Sequence, residues 1–329
     1  MLVSILNWNG TEDTITCLSG IDRQASPRVR FAVLDNGSQI DRTIELRTLF
    51  PDIEVFREPN NLGFCGGHNQ MILLAIERGY GSVLILNNDC EIDIQSILEL
   101  QKMMDSDPQL AVVSSLIYRS GTERIALMVA GSIDWAQQRS VRPSSPDSRI
   151  PADQPTLLVG TALLLSCCAM KKIGLLDERY FAYYDDNDLS ARVAAAGLKA
   201  KYCKTSICLH RYKSLHEHSA MALYLMSRNQ WLFWQTHTPS THRKGMTRRL
   251  LAYSLHDLAL LKKNGSSSDK TNAIVDGWWD ARRGRFGPPP PKGTSPWLLR
   301  RLALFAPYFM SRLLVEPNST LRTTLTRWF

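Results

Sequence analysis

Three polar clusters carry the residue types that do chemistry. The first is Asn87-Asn88-Asp89, which ends the apolar run Val83-Leu84-Ile85-Leu86. A run that short, apolar without alternation, reads as a buried parallel strand. Its polar end then lies at the carboxyl edge of a sheet, where open α/β sheets bind ligands. Asp89 is a hard oxygen donor at that edge, suited to Mg²⁺ or Mn²⁺ carrying a diphosphate. A strand-end turn with an Asx cap is the plainer reading of the same residues. The second cluster is Asp185-Asp186-Asn187-Asp188. Carboxylates this close repel unless a cation, a helix N-terminus or water compensates. A carboxylate in such company tends to hold a proton, which suits a general base. The same residues also read as a helix start, with Asp185 as cap and Asp188 as its capping-box partner. The third is His210, which follows a short apolar stretch and precedes Arg211-Tyr212-Lys213. It is either a structural imidazole or a metal ligand.

Something must bring these clusters together, and the periodicity of the chain says what. Apolar strand-like runs at 2–6, 29–34, 53–57 and 83–89 alternate with helical spacing at 11–23, 41–49 and 68–78. Such alternation with short connections is the pattern of a doubly wound, mostly parallel sheet flanked by helices. Polar residues follow successive strands: Asn7 and Asn9, then Asp35-Asn36-Gly37-Ser38, then Asn87-Asn88-Asp89. Together these strand ends outline a pocket. A glycine-rich loop, Asn60-Asn61-Leu62-Gly63-Phe64-Cys65-Gly66-Gly67, precedes the third helix. It is not GxGxxG and does not follow the first strand, which counts against a dinucleotide-binding dehydrogenase. Further on, 94–104 reads as a helix, 110–118 as a strand and 157–168 as sheet again. Residues 119–155 read as a polar loop with one hairpin near Gly131, and 174–178 as a turn. A helix at 188–196 stops at Gly197, and short strands at 200–203 and 206–209 deliver His210.

Composition bounds the rest. The 329 residues are 44% hydrophobic, enough for a sizeable core in one large domain or two smaller ones. Seven cysteines without a CxxC pair read as mostly reduced, buried thiols of a cytoplasmic protein. Met1 runs straight into a strand, and no leader is recognised. The longest apolar stretch, 157–170, is 14 residues, short of the roughly 20 that span a bilayer. Net charge is +8 and unevenly placed: residues 236–329 hold 16 Lys/Arg against 5 Asp/Glu, while residues 1–235 are slightly acidic. The aromatic-rich segment 220–236 reads as a helix, 243–263 as a basic amphipathic helix and 297–315 as interfacial rather than spanning.

With these residues in view, the chain resembles a family 2 glycosyltransferase of the GT-A fold. The resemblance rests on Ser4-Ile5-Leu6-Asn7-Trp8-Asn9-Gly10, Asp35-Asn36-Gly37-Ser38, Asn61-Leu62-Gly63-Phe64-Cys65-Gly66-Gly67-His68-Asn69, Leu86-Asn87-Asn88-Asp89, the 174–178 turn with Phe181, the acidic helix start and His210. They stand in the family's order and cover roughly residues 2–235. The nearest subgroup is the rhamnosyltransferase-like enzymes of bacterial cell-surface polysaccharide assembly. The resemblance implies a catalytic domain over 1–235, with a nucleotide-binding half (1–90) and an acceptor half (91–235), followed by a basic helical region at 236–329. It implies that Asn7, Asn9 and Asp35 help hold the nucleotide, and that Asn61, Gly63, Gly66 and Asn69 line the donor pocket. Asn87, Asn88 and Asp89 stand as the DxD-type element, with Asp89 and His210 on a Mg²⁺ or Mn²⁺ ion. Asp186 becomes the catalytic base beside Asp185. The donor implied is a dTDP- or UDP-sugar, and the acceptor a glycan or lipid-linked hydroxyl. Three positions depart from the family: Asn87 for the first Asp of DxD, Asp185 for Glu, and His68 for a frequent Asn.

Two rivals belong to other classes. A nucleotidyltransferase also uses metal carboxylates on such a sheet, but 7–10 lacks its basic glycine-rich first loop. A nucleotide-sugar-binding module without turnover fits less well, since Asp89, Asp186 and His210 are all present. The basic tail suggests an anionic membrane surface as partner, peripheral at the inner face of the cytoplasmic membrane. A homodimer interface is the other use of those helices, and no nucleic-acid-binding module is recognised.

Overall fold

The computed structural model describes residues 1–120, 126–128, 131–141, 155–211 and 214–315. Most of the loop expected at 119–155 therefore lies outside the described residues. The chain divides into two compact units. The first comprises Met1–Ile133, Ser140–Glu178 and Asp185–Tyr212, and the second Asp134–Arg139, Arg179–Tyr184 and Lys213–Phe329.

The first unit holds strands β1 (Leu2–Asn7), β2 (Arg30–Asn36), β3 (Glu54–Glu58), β4 (Ser82–Asn87), β5 (Cys90–Ile92), β6 (Leu110–Arg119) and β7 (Ala126–Met128). A small two-stranded sheet follows, β8 (Ser132–Asp134) with β9 (Arg139–Val141), then β10 (Ala162–Ser166) and β11 (Lys199–His210). Helices α1 (Thr11–Ser19), α2 (Thr43–Leu49), α3 (Gly63–Glu77), α4 (Ile94–Ser106), α5 (Cys167–Ile173) and α6 (Asp185–Ala195) complete it. The main sheet runs β3-β2-β1-β4-β10-β6-β11-β5, with β7 paired to β6. β1 to β4 are mutually parallel; β1, β2 and β4 are buried, largely apolar runs because both faces are covered, whereas the edge strand β3 is mostly charged. Val3, Ile5, Val33, Leu84, Leu86 and Leu164 lie in its buried core.

β10 runs antiparallel to both β4 and β6. That reversal matters, because it returns the segment before β10 to the carboxyl end of β4. Asn87 N donates to Thr161 O at 3.0 Å there. β11 is one long strand, irregular between Cys203 and Ile207, rather than the two short strands expected. Its last residue, His210, is the register partner of Cys90 on β5.

The second unit is helical: α7 (Ala220–His237), α8 (Met246–Lys263), α9 (Ser268–Arg282), α10 (Trp297–Phe305) and α11 (Pro307–Val315). It begins earlier than the boundary expected at 235, because α7 buries Trp231, Phe233 and Trp234 within this unit. α7 packs on α9 and α11 on α8. The apolar stretch 297–315 is two helices rather than one; the break falls at Ala306, ahead of Pro307. Among the described residues, no helix is long and apolar enough to cross a membrane.

Candidate active site at the carboxyl edge of the sheet

Sheet register sets the first row of the site. Asn7 of β1 is opposite Asp35 of β2, and Asp35 is opposite Arg57 of β3. Asn7 Nδ2 donates to Asp35 Oδ1 at 2.8 Å, and Arg57 Nη1 donates to Asp35 Oδ2 at 2.6 Å. Ser38 also donates to Asp35. Asp35 is only 1% exposed, so its carboxylate is satisfied inside the protein. Asn7 is equally buried and accepts from Thr14 Oγ1 at 3.1 Å. These two residues frame the strand ends. Asn9, at positive φ (56°), is the more open neighbour. Its backbone donates to Ser38 Oγ, and its side chain accepts from Gln39 N.

The glycine-rich segment is largely helical, where the sequence suggests a loop up to Gly67. α3 starts at Gly63, whose φ of 76° is left-handed and suits glycine. Asn61 Oδ1 accepts from Gly63 N at 2.8 Å and from Asn36 Nδ2 at 3.1 Å, which fixes the entry. Gly66 follows in the first turns. Asn69 is buried, donates to Leu176 O at 2.9 Å and Glu178 Oε1 at 3.0 Å, and accepts from Leu176 N. It ties α3 to the 174–178 turn. His68 lies wholly buried, with Nδ1 3.2 Å from Ser4 Oγ; burial pushes its pKa down to about 3, so it is neutral.

At β4 the three residues of the polar end separate in role. Asn88 Nδ2 donates to Gly10 O at 3.0 Å and Thr14 Oγ1 at 3.1 Å, joining α1 to the strand end. Asn87 and Asp89 are half-buried. Asp89 Oδ1 is 3.2 Å from His210 Nε2. With Cys90 Sγ, these ligand atoms all fall within 4.8 Å of one another. Burial raises the Cys90 thiol well above its usual range, and sulfur is a soft ligand. The carboxylate and imidazole therefore make the donor set that fits Mn²⁺ or Mg²⁺, with open positions left for phosphate oxygens. The backbone pairing of β11 with β5 is what brings His210, 121 positions further along the chain, back to Asp89.

Asp186 reaches the same strand end through the 157–161 segment. Gly160 N donates to Asp186 Oδ2 at 3.0 Å, and the next residue, Thr161, accepts from Asn87 N. Asp186 Oδ1 accepts from the backbone and side chain of Asn187 at 2.8 and 3.2 Å. Ser190 links the same two segments: its Oγ donates to Asp186 O at 2.7 Å and accepts from Leu158 N at 3.2 Å. Asp185 is buried and Asp186 half-buried. α6 starts at Asp185, and Asp188 Oδ2 accepts from Arg192 Nε at 2.7 Å.

Within the second unit, the residues just before α6 are strained. Phe181, Tyr183 and Tyr184 have φ of 64°, 68° and 69°. Bulky residues there cost about 1–3 kcal/mol each and persist only where the surroundings impose them. Asn229 Nδ2 donates to the carbonyls of Tyr180, Ala182 and Tyr183 at 2.8, 2.7 and 2.9 Å. Arg57 and Gly160 were not legible as site-building residues.

The comparisons agree with this architecture. Residues 3–162 match the family model described as glycosyl transferase family 2. The low-salt glycan biosynthesis hexosyltransferase Agl10 of Haloferax volcanii is 26% identical over 240 residues, 70% of this chain and 74% of that protein. The crystal structure of GalNAc-T7 with UDP, GalNAc and Mn²⁺ superposes with a TM-score of 0.52 at 16% identity. The crystal structure of S. aureus TarS does so with 0.53 at 12%. The matches cover 65% and 95% of this chain, but only 43% and 54% of those two chains. At such identities the likeness is one of fold, and the fold is the GT-A type expected from the sequence.

Proposed function

We propose that this family 2 glycosyltransferase is an inverting, metal-dependent hexosyltransferase. It moves a sugar, rhamnose from dTDP-rhamnose in the first instance, onto a hydroxyl of a glycan or lipid-linked acceptor in bacterial cell-surface polysaccharide synthesis. One observation carries the reading: Asp186 is tied through Gly160 and Thr161 to the strand end that also bears Asp89, paired with His210. The hexosyltransferase relative supports the reaction class, and the UDP and Mn²⁺ of a structural neighbour support a nucleoside-diphosphate donor and a divalent ion.

Asp186 takes the proton of the acceptor hydroxyl. Its carboxylate is held by Gly160 N and Asn187, so it is oriented before the acceptor arrives. The acceptor oxygen then attacks the anomeric carbon opposite the leaving nucleoside diphosphate, and a single displacement inverts configuration. Asp89 and His210 would hold the ion, which when bound offsets charge on the departing diphosphate. No enzyme nucleophile is needed. Asp186→Asn should reduce transfer by at least about 10³-fold, measured as nucleoside diphosphate release with acceptor present. Nucleotide-sugar binding should be nearly unchanged by calorimetry. Full turnover in that variant would remove Asp186 from its role.

The basic helical region, 236–329 in the sequence reading, is proposed to rest on an anionic membrane surface, near a lipid-linked acceptor. What supports this is the outer face of α10 and α11. Trp297, Leu298, Leu302, Phe305, Tyr308 and Phe309 are each more than half exposed, with Arg301 stacked over Trp297.

A further inference from the structure

Asp89, Cys90 and His210 lie in one compact unit, Asp89 in the turn between β4 and β5 and the other two on paired strands. Cys90 is directly opposite His210 across the β5–β11 ladder, so the thiol and the imidazole share a face of the sheet. Asp89 Oδ1 stands 3.2 Å from His210 Nε2, and Cys90 Sγ lies within 4.8 Å of the ligand atoms of both. The imidazole and carboxylate are partly open to solvent, and the thiol sits buried behind them. Little holds the sulfur in place. Its contact with Thr161 O is 4.0 Å long, and its other neighbour is the thiol of Cys208; sulfur is a weak hydrogen-bonding partner.

A hard ion leaves Cys90 idle, because Mg²⁺ and Mn²⁺ favour oxygen and imidazole. A softer ion does not. Zn²⁺ holds sulfur at about 2.3 Å and nitrogen or oxygen at about 2.0–2.2 Å in a tetrahedron, so its ligand atoms stand roughly 3.5 Å apart. The carboxylate and imidazole already meet that spacing, and the sulfur needs only a side-chain adjustment. We infer that Cys90 makes this a soft-ion site as well as a hard-ion one: Zn²⁺ or Cd²⁺ binds through Asp89, His210 and the Cys90 sulfur, and in doing so keeps Mn²⁺ or Mg²⁺ from the donor diphosphate. The S–H bond breaks as the sulfur–metal bond forms, and the proton leaves to solvent without any change of oxidation state. The inference rests on the reading of Asp89 and His210 as ligands of the ion. Thiolate and carboxylate together balance the charge of a divalent ion, so a soft ion binds the free protein. Mn²⁺, held by one carboxylate and one imidazole, needs the diphosphate oxygens to complete its set. Zinc is therefore an inhibitor of transfer that competes with Mn²⁺.

The test is Cd²⁺ titrated into the full chain without nucleotide, followed by sulfur-to-cadmium charge-transfer absorption in the ultraviolet. The band should be lost in Cys90→Ser and in His210→Gln alike. Other thiols, such as that of the exposed Cys168, can also take Cd²⁺, but their absorption survives both substitutions. By calorimetry Cys90→Ser should bind Cd²⁺ at least about tenfold more weakly, a loss that even an outer partner of a ligand commonly causes, while Mn²⁺ affinity in the presence of UDP stays within about threefold. A band kept in full by either folded variant overturns the inference, as does a wild-type protein that gives none. If Cys90→Ser does not fold, His210→Gln decides by the same criterion. Mn²⁺ with UDP, titrated into the wild type alongside, separates two failures. If it binds and no sulfur band forms, only the role of Cys90 falls; if the band forms and Mn²⁺ with UDP does not bind, the metal-dependent reading of transfer falls, and with it the competition.

Discussion

At the scale of single residues, the site is built by satisfying buried polar groups, and His68 shows what such burial costs. It is neutral, fully buried and in contact with Ser4 Oγ, while its Nε2 has no hydrogen-bond partner among the described residues. Its pKa in the fold is about 3, below the ordinary value of 6.5. The unfolded chain therefore binds more protons between those values, so stability is full above about pH 6.5 and is lost as pH falls toward 3. By pH 5 this one group should remove about 2 kcal/mol, as an order of magnitude. His68→Asn takes away the titration. Urea unfolding at pH 7.5 and pH 5 should show a smaller acid loss in this variant by roughly that amount. The same slope in both proteins would mean that the imidazole is hydrated or charged in the fold. The residue itself was legible as a departure from the family pattern. Its burial was not, because a helix start at Gly63 rather than near 68 decides which residues of the segment turn inward.

At the scale of elements, helices α7 and α9 meet backbone to backbone. A Cβ on Gly277 would stand 2.5 Å from Tyr224 O, 2.9 Å from Ser227 Cβ and 3.0 Å from Arg228 N. Glycine lets the two backbones touch. Ser227 Oγ donates to Ile274 O at 2.8 Å and Tyr224 Oη to Asp280 Oδ2 at 2.9 Å, which locks the approach. Gly277→Ala sets two effects against each other. Alanine favours a helix by about 1 kcal/mol, whereas overpacking against backbone costs about 1–3 kcal/mol. Backbone cannot move aside as a side-chain tip can, so the clash should win. The melting temperature should fall; a stabilised variant would contradict the close packing. Elements of this kind divide into those the sequence showed and those it did not. β1, β2 and β4 were readable because apolar runs ended in polar turns. β10 was readable as a strand, but its reversal was not, since direction comes from which strands flank it. β5, three residues long, carries too little periodicity to be seen, yet its pairing with β11 is what sets His210 beside Asp89. α9 went unread because Gly277 and the polar residues around it weaken the helical pattern, while its role depends on packing.

For the molecule as a whole, the question is what the uncovered helical face meets. α11 is docked on α8 through Pro307, Ser311 and Leu314, with Ser311 Oγ donating to Ala252 O at 2.9 Å. That spacing turns Tyr308, Phe309 and Arg312 outward. α10 buries Ala303 and turns Trp297, Leu298, Arg301, Leu302 and Phe305 outward. Arg300 is not part of the face, because Asp276 and Ser295 engage it. The outer surface is therefore aromatic and aliphatic with Arg301 and Arg312 exposed beside it, in a region of the chain with 16 basic and 5 acidic residues. Aromatic rings favour the headgroup boundary, and each basic residue near an anionic surface adds about 1 kcal/mol. The full chain should co-sediment with vesicles containing phosphatidylglycerol, less with pure phosphatidylcholine, and less again at high salt. Replacing Trp297, Phe305 and Phe309 together by serine should weaken that binding at least about tenfold, since three rings no longer leave water. Transfer to a short soluble acceptor should be unaffected, because the sheet edge is untouched. Equal sedimentation of the two proteins would exclude this face as the membrane contact. A wild-type dimer in solution that the triple variant dissociates would assign the face to a second copy of the chain instead.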